Sequence, residues 1–172
     1  FLKNMERKAL KLKRKPSCRG VGVREEDTPR DLPEILQWVK FSDIAWSRDQ
    51  RGFFYSRYDE PRAGHEHVAI NVFQKLYYHR LGEPQSADRL VYERPDHKDW
   101  AFDGEVTDDG RYLVIRVWRG ADRNHQVCVQ DLLTAGAPVV ELRTGFDAQY
   151  RLVGNDGHTL WFHTDRDAPR GR

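Results

Sequence analysis

A histidine pair in a polar stretch is the nearest approach of this sequence to a metal-binding pattern. His65 and His67 stand in Gly64-His65-Glu66-His67 and would point the same way if the segment were extended. Imidazole suits several transition metals, but no third ligand is identifiable. The stretch carries Pro61 and shows no periodicity, which is typical of a solvated loop. We therefore expect no metal site and no cofactor.

The sequence contains no recognisable activated nucleophile. Its five serines are Ser17, Ser42, Ser47, Ser56 and Ser86, and none lies in a Gly-x-Ser-x-Gly elbow. The carboxylate pair Asp108-Asp109 could do acid–base chemistry. It stands directly before Gly110, however, where Asp oxygens cap the backbone amides of a turn. We interpret the pair as turn residues and expect no catalytic residue in this chain.

Aromatic side chains are concentrated around one predicted hairpin. The cluster comprises Trp38, Phe41, Trp46, Phe53, Phe54 and Tyr55. Because aromatic rings contribute most to stability when they are buried, core packing is the simpler interpretation for most of them. Trp38 and Phe41 precede the hairpin, where a loop side chain could face a cavity and contact a ligand.

The hairpin consists of a strand, a polar turn and a second strand, and this pattern recurs along the chain. In each copy a turn with Asp or Asn and Gly separates two apolar runs, which is the sequence signal of a β-hairpin. The turn glycines lie about 50 residues apart, within the range of β-propeller blades. The copies fall within residues 38–58, 104–115 and 150–162 and contain Gly52, Gly110 and Gly157.

Further strand-like runs extend the first two hairpins into four-stranded meanders. The predicted blades span about residues 38–94, 100–143 and 148–165, the last with two strands only. In the run 112–118 both alternating faces carry large apolar groups, which is typical of a strand buried between two sheets. We predict an all-β fold, a partial β-propeller of about two and a half four-stranded antiparallel blades.

A basic tail precedes these blades. Residues 1–20 are rich in Lys and Arg, and Met5, Ala9 and Leu12 recur at helical spacing before Pro16. Such a tail could bind nucleic acid or a membrane surface, or direct import. A frayed end, or sequence foreign to the domain, is the simpler interpretation. We place residues 1–20 outside the domain, with a helix as one alternative for them, and the propeller domain at 21–172.

Composition narrows the remaining classes of function. Aromatic residues make up 12% of the 172 residues, which argues against a disordered chain. A net charge of +2 and the lack of a long apolar run favour neither nucleic acid nor a membrane as partner. Cys18 and Cys128 lie far apart, without ligand-type spacing, so a reducing compartment is the default. We expect a cytoplasmic location.

Several stretches resemble, in order and spacing, the N-terminal propeller domain of the prolyl oligopeptidase family. They are Asp31-Leu32-Pro33, Trp38-Val39-Lys40-Phe41-Ser42, Ala45-Trp46-Ser47, Gly52-Phe53-Phe54-Tyr55, Gln74-Lys75-Leu76-Tyr77-Tyr78-His79-Arg80-Leu81-Gly82 and Asp108-Asp109-Gly110-Arg111-Tyr112-Leu113. The resemblance covers about residues 21–172. It implies serine peptidases, cytoplasmic or in some cases periplasmic, that cut short peptides after proline. In them a propeller covers an α/β-hydrolase domain that holds the Ser, Asp and His triad.

The resemblance also implies roles for single residues. Phe41 falls on an aromatic residue that lines the substrate cavity from the propeller side. Members from animals carry a propeller arginine that contacts the bound peptide; Trp118 occupies that place here, and Arg119 follows it. Adjacent residues in a strand face opposite sides of the sheet, so the two cannot make the same contact. The predicted substrate-binding residues are Phe41, Trp118 and Arg119.

Two functional hypotheses follow. In the first, the chain is the propeller portion of a prolyl-oligopeptidase-like serine endopeptidase, where it gates and lines the peptide cavity. Its partners would be the α/β-hydrolase domain and short proline-containing peptides, and the chain alone would be inactive. In the second, the chain is a non-catalytic propeller-type interaction module that assembles with other chains through its open strand edges.

Overall fold

The protein folds almost entirely into antiparallel β-sheets, which confirms the predicted all-β class. The computed structural model describes residues 10–14, 20–25, 31–60 and 71–168, with side chains from residue 35 onward. A short 3-10 helix, Gln85–Ala87, lies between two strands. Within these described segments, no helix has the length and apolar character needed to cross a membrane.

Thirteen strands in the described residues form four consecutive sheets. The first sheet contains β1 (Leu10–Arg14), β2 (Gly20–Glu25) and β3 (Asp31–Gln37). Blade 1 contains β4 (Ala45–Trp46), β5 (Gly52–Arg57), β6 (Lys75–Arg80) and β7 (Arg89–Tyr92). Blade 2 contains β8 (Trp100–Val106), β9 (Tyr112–Arg119), β10 (His125–Asp131) and β11 (Val140–Arg143). Blade 3 contains β12 (Tyr150–Asp156) and β13 (Thr159–Thr164).

Successive blades stack face to face. Phe54 of blade 1 packs in one buried cluster with Leu113 and Ile115 of blade 2. On the opposite face of β9, Val114 packs with Tyr150 of blade 3. Both faces of β9 are therefore buried against neighbouring sheets, as the alternation of large apolar residues predicts. Stacked four-stranded meanders of this kind confirm the partial β-propeller.

The N-terminal sheet differs from the sequence-based expectation. Leu10–Arg14 is a strand that pairs antiparallel with β2, so the helical alternative is wrong for this part of the tail. Its alternating Leu and Lys residues fit the two-residue period of a strand, and β2 satisfies its backbone groups. Leu36 of β3 packs against Phe53 of blade 1, which joins this sheet to the stack. The rest of the basic tail, residues 1–9 and 15–19, lies outside the described residues.

The turn between β8 and β9 has the Asp cap and the left-handed Gly that the sequence predicts. Gly110 has a φ of 73°, a left-handed conformation that glycine adopts at little cost. Asp109 Oδ1 accepts hydrogen bonds from the Thr107 hydroxyl at 2.7 Å and the Arg111 N–H at 3.0 Å. Asp109 is therefore a turn-capping residue, as the sequence predicts.

Asp109 also joins the turns of three blades. Asn155 of blade 3 donates to Asp109 Oδ2 at 2.6 Å, and the Arg48 guanidinium of blade 1 donates to the Asp109 carbonyl. The hydrogen bond from the Arg111 N–H, with those from Asn155 and Thr107, lowers the pKa of Asp109 to about 2. Because this pKa lies below its unfolded value of 3.8, the stabilisation is present above about pH 4 and is lost as the pH falls toward 2.

We expect Asp109→Asn to flatten this acid dependence, because an amide does not titrate. At neutral pH the variant should lose about 1 kcal/mol of unfolding free energy, after allowance for solvent screening at a turn that solvent partly reaches. Urea denaturation between neutral pH and about pH 2 measures both effects. Asp99→Asn, at an exposed carboxylate, is the matched control. An acid limb as steep in Asp109→Asn as in the wild type would contradict the prediction.

Candidate functional site

The connections between strands are sorted to two ends of the sheets. In an antiparallel meander the chain enters the first strand, and passes from the second to the third, at the same end. We call this the loop end; among the described residues it comprises 38–44, 58–60, 71–74, 93–99, 120–124 and 144–149. The loops of blades 1 and 2 touch there, since the Phe73 N–H donates to the Lys98 carbonyl at 2.8 Å. Residues 61–70 lie outside the described residues. They include His65 and His67, for which the sequence predicts no metal site.

Phe41 is an exposed aromatic residue on a tightly held loop. Its side chain is 78% exposed, and its φ is 52°. A left-handed backbone is uncommon outside glycine and costs about 1–3 kcal/mol, so the surrounding structure must impose it. The neighbouring Ser42 hydroxyl accepts a hydrogen bond from the Ser56 N–H of β5 at 2.7 Å, which ties the loop to blade 1. The fold therefore holds an apolar ring out toward solvent at the loop end.

Gln74 also holds this loop, through hydrogen bonds that the sequence does not predict. It is 1% exposed, and its Nε2 donates to the carbonyls of Lys40 at 2.9 Å and Phe41 at 3.3 Å. Its Oε1 accepts from the Phe102 N–H of β8 at 2.7 Å. One buried amide thus joins the Phe41 loop, the start of β6 and the next blade. A polar residue ahead of an apolar strand gives no sequence signal of this role.

Trp118 and Arg119 are brought to the loop end of blade 2, on opposite faces of β9. The half-buried Trp118 ring lies 4.5 Å from the ring of His125. The Arg119 guanidinium pairs with Asp122 at 3.0 Å and lies 4.6 Å from the centre of the Phe146 ring. Among the described contacts, no hydrogen bond or ring contact joins Phe41 to either residue. Their substrate-binding role stays a prediction.

Two carboxylates on β8, the first strand of blade 2, have raised pKa values. Burial raises the pKa of Asp103, although its ion pair with the Arg116 guanidinium opposes the shift. Burial likewise raises the pKa of Glu105. In the described residues no group of three or more His, Cys, Asp and Glu side chains could hold a metal ion.

A buried His–Asp pair resembles part of a hydrolytic triad, but it cannot act as one. His79 Nδ1 lies 2.7 Å from Asp88 Oδ1, and both side chains are 1% exposed. Tyr55 donates its hydroxyl to the same carboxylate, and burial, together with Asp88, raises the pKa of Tyr55. Within the part of the chain that the structure describes, His79 Nε2 has no hydrogen-bond partner, and its burial keeps substrate away from it. The pair therefore stabilises the packing of blade 1.

Comparison with known proteins identifies the family to which this fold belongs. A family model described as "Prolyl oligopeptidase, N-terminal beta-propeller domain" matches residues 18–172. The chain belongs to the prolyl oligopeptidase family. It is 36% identical over 149 residues to prolyl oligopeptidase A from Amanita bisporigera, covering 81% of this chain and 19% of that protein. It is also 36% identical over 150 residues to the prolyl endopeptidase of Elizabethkingia miricola, covering 87% of this chain and 21% of that protein.

Solved structures from the prolyl oligopeptidase family share the fold. One, from a study of two prolyl endopeptidases and their inter-domain dynamics, is 33% identical with a TM-score of 0.72, over 87% of this chain and 21% of that chain. Prolyl oligopeptidase B from Galerina marginata, as apo protein, has a TM-score of 0.76 over 89% of this chain and 22% of that chain, but at 23% identity it shows the fold alone. The chain spans about a fifth of the length of its relatives. Its match to the N-terminal propeller domain of the family confirms the resemblance.

Proposed function

We propose that this chain gates and lines the peptide cavity of a prolyl-oligopeptidase-like serine endopeptidase and that the catalytic triad lies outside it. The α/β-hydrolase domain is its partner, and short proline-containing peptides are the substrates. Family membership supports this assignment. The observation that carries it is Phe41, whose apolar ring is 78% exposed although hydrogen bonds from the Ser56 N–H and the Gln74 amide hold its loop. A cytoplasmic location belongs to the same proposal, supported by the free, buried thiol of Cys128.

A chimera tests the cavity-lining role. Residues 21–172 replace the matching fifth of the Elizabethkingia miricola prolyl endopeptidase, and a proline-containing chromogenic peptide serves as substrate. We expect Phe41→Ala to raise KM about fivefold to tenfold with kcat little changed, because it removes an apolar contact present in both the ground state and the transition state.

Leu133→Ala is the matched control for this chimera. Leu133 is a large apolar residue that is 70% exposed, and it lies in the β10–β11 turn at the opposite end of the sheets. The KM of the Leu133→Ala chimera should equal that of the parent chimera. The isolated 172-residue chain should show no turnover. Equal KM values for the two alanine variants, or turnover by the isolated chain, would refute the proposal.

A second candidate function, an interaction module, is favoured by a cavity between blades 2 and 3 and by the strand edge of blade 3. Val127, Leu160 and Phe162 line an open cavity of about 510 Å³. Within the described strands, β13 pairs only with β12, and its Trp161 is 59% exposed. Exposed strand edges pair readily with other chains. Light scattering discriminates: concentration-dependent assembly supports this function, and a monodisperse monomer contradicts it.

A further inference from the structure

Three aromatic residues at the loop end share an unusual backbone conformation. Trp38, Phe41 and Phe73 have φ values of 59°, 52° and 57°. Left-handed residues other than glycine are mostly Asn and Asp, and bulky residues are rare there. In the described residues these three are the majority of the non-glycine residues with positive φ. Strained positions persist only where surrounding contacts impose them, and they concentrate at functional sites.

The strained residues lie on two loops that one side chain connects. Phe73 directly precedes Gln74, and the Gln74 amide donates to the Phe41 carbonyl at 3.3 Å. Lys40 Nζ also donates to Asn71 Oδ1 at 2.9 Å, which ties the same two loops a second time. Phe41 and Phe73 nonetheless leave 78% and 40% of their side chains exposed. The contacts therefore restrain the backbones while leaving both rings available.

The Gln74 amide is fully used, and its alternatives are poor. Both Nε2 hydrogens go to carbonyls, and Oε1 accepts from the Phe102 N–H. A glutamate would face two carbonyl oxygens without a donor, and a leucine would leave all three backbone groups without partners. We propose that Gln74 is a positioning residue that holds Phe41 and Phe73 as a pair of aromatic contacts for an extended peptide. This role rests on the proposed function, because the peptide is the ligand assigned there.

The chain offers a matched control in a second bridging glutamine. Gln85 Nε2 donates to the Tyr55 hydroxyl at 2.9 Å and the Gln37 carbonyl at 3.1 Å. Its Oε1 accepts from the Gln37 N–H at 2.8 Å. Gln85→Leu thus removes as many hydrogen bonds as Gln74→Leu, but its partners are Gln37 and Tyr55. Among the described contacts, it makes no hydrogen bond to the backbone of Phe41 or Phe73. A stability effect is common to both variants, whereas an effect on Phe41 and Phe73 is specific to one.

Fluorine NMR of the full chain labelled with para-fluorophenylalanine measures the positioning directly. The chain has 8 Phe residues, and Phe41→Leu and Phe73→Leu assign the two signals. In Gln74→Leu we expect both signals to shift and sharpen toward those of a mobile chain, while Gln85→Leu leaves them unchanged. Gln74→Glu keeps the acceptor for Phe102 and should move the Phe41 signal even if the leucine variant does not fold. Unmoved signals in Gln74→Glu, or equal shifts in Gln85→Leu, overturn the proposal.

A titration with a proline-containing peptide separates this role from the proposed function. We expect wild-type Phe41 and Phe73 signals to respond to peptide. The apparent affinity should fall about tenfold in Gln74→Glu if the competent loop conformation becomes about tenfold rarer. If the Phe41 and Phe73 signals shift in Gln74→Glu but those of the wild type do not change on addition of peptide, the positioning role is supported and the proposed function is refuted. If the wild type responds and Gln74→Glu binds as tightly, the positioning role fails and the proposed function stands.

Discussion

Phe102→Ala is expected to remove a large part of the stability of the stacked blades. Phe102 is 1% exposed in the cluster between blades 1 and 2, where the Tyr92 ring meets it edge-on at 5.1 Å. Truncating a buried Phe costs about 3–5 kcal/mol, because packing contacts are lost and a cavity is left. A domain has only about 5–15 kcal/mol in total. Equilibrium urea denaturation should show a much lower midpoint with an unchanged m-value.

Two further variants serve as controls for Phe102→Ala. Phe41→Ala removes the same side chain at a site that is 78% exposed, and it should change the unfolding free energy by no more than about 0.5 kcal/mol. Phe102→Leu keeps the site apolar and should cost less than about 1.5 kcal/mol. Similar midpoints for the two alanine variants would mean that packing between blades is not the main source of stability.

The stacking itself could be predicted from the sequence, because it depends on a local pattern. Leu113, Ile115 and Val117 alternate with Val114 along β9, and both sets are large and apolar. A strand with two apolar faces needs a sheet on each side, whatever the neighbouring sheets contain. The structure confirms this by burying the two sets in different clusters.

The polar ties between blades could not be predicted from the sequence. Gln74 bonds to the backbone of a residue 28 positions away, and His125 Nε2 accepts from the Tyr150 N–H 25 positions away. Each pair meets only after two blades have stacked, and the partner is a backbone group that every residue carries. The sequence therefore predicts Phe41 through its family resemblance, but it gives no sign of the glutamine that holds its loop.

The glycines of the three turns look equivalent in the sequence, and the structure separates them. Gly110 and Gly157 have φ values of 73° and 55°, as turn glycines should. In blade 1 the left-handed position belongs to Gln50, with a φ of 55°. Gly52 is instead the buried first residue of β5, paired with Arg80. Gly52 is therefore needed because β6 packs too closely to leave room for a side chain, not because the backbone is left-handed.

Gly52→Ala is consequently expected to be severely destabilising. An added Cβ would overlap the His79 carbonyl oxygen and lie 2.6 Å from the Tyr78 hydroxyl. The carbonyl belongs to the neighbouring strand β6 and cannot move without breaking the ladder. We expect a loss of about 3 kcal/mol or more, at the upper end of overpacking costs, measured by urea denaturation.

Gly145→Ala is the matched control, because Gly145 is exposed and an added Cβ would meet its nearest neighbour, Asp147, at an ordinary 3.4 Å. Its unfolding free energy should stay within about 0.5 kcal/mol of the wild type. The contrast between the two alanines separates close approach of β5 and β6 from the general entropic effect of replacing glycine, which would stabilise both variants. Equal stabilities for Gly52→Ala and Gly145→Ala would show that β6 can yield at this point, and the register of the central strands of blade 1 would then not depend on Gly52.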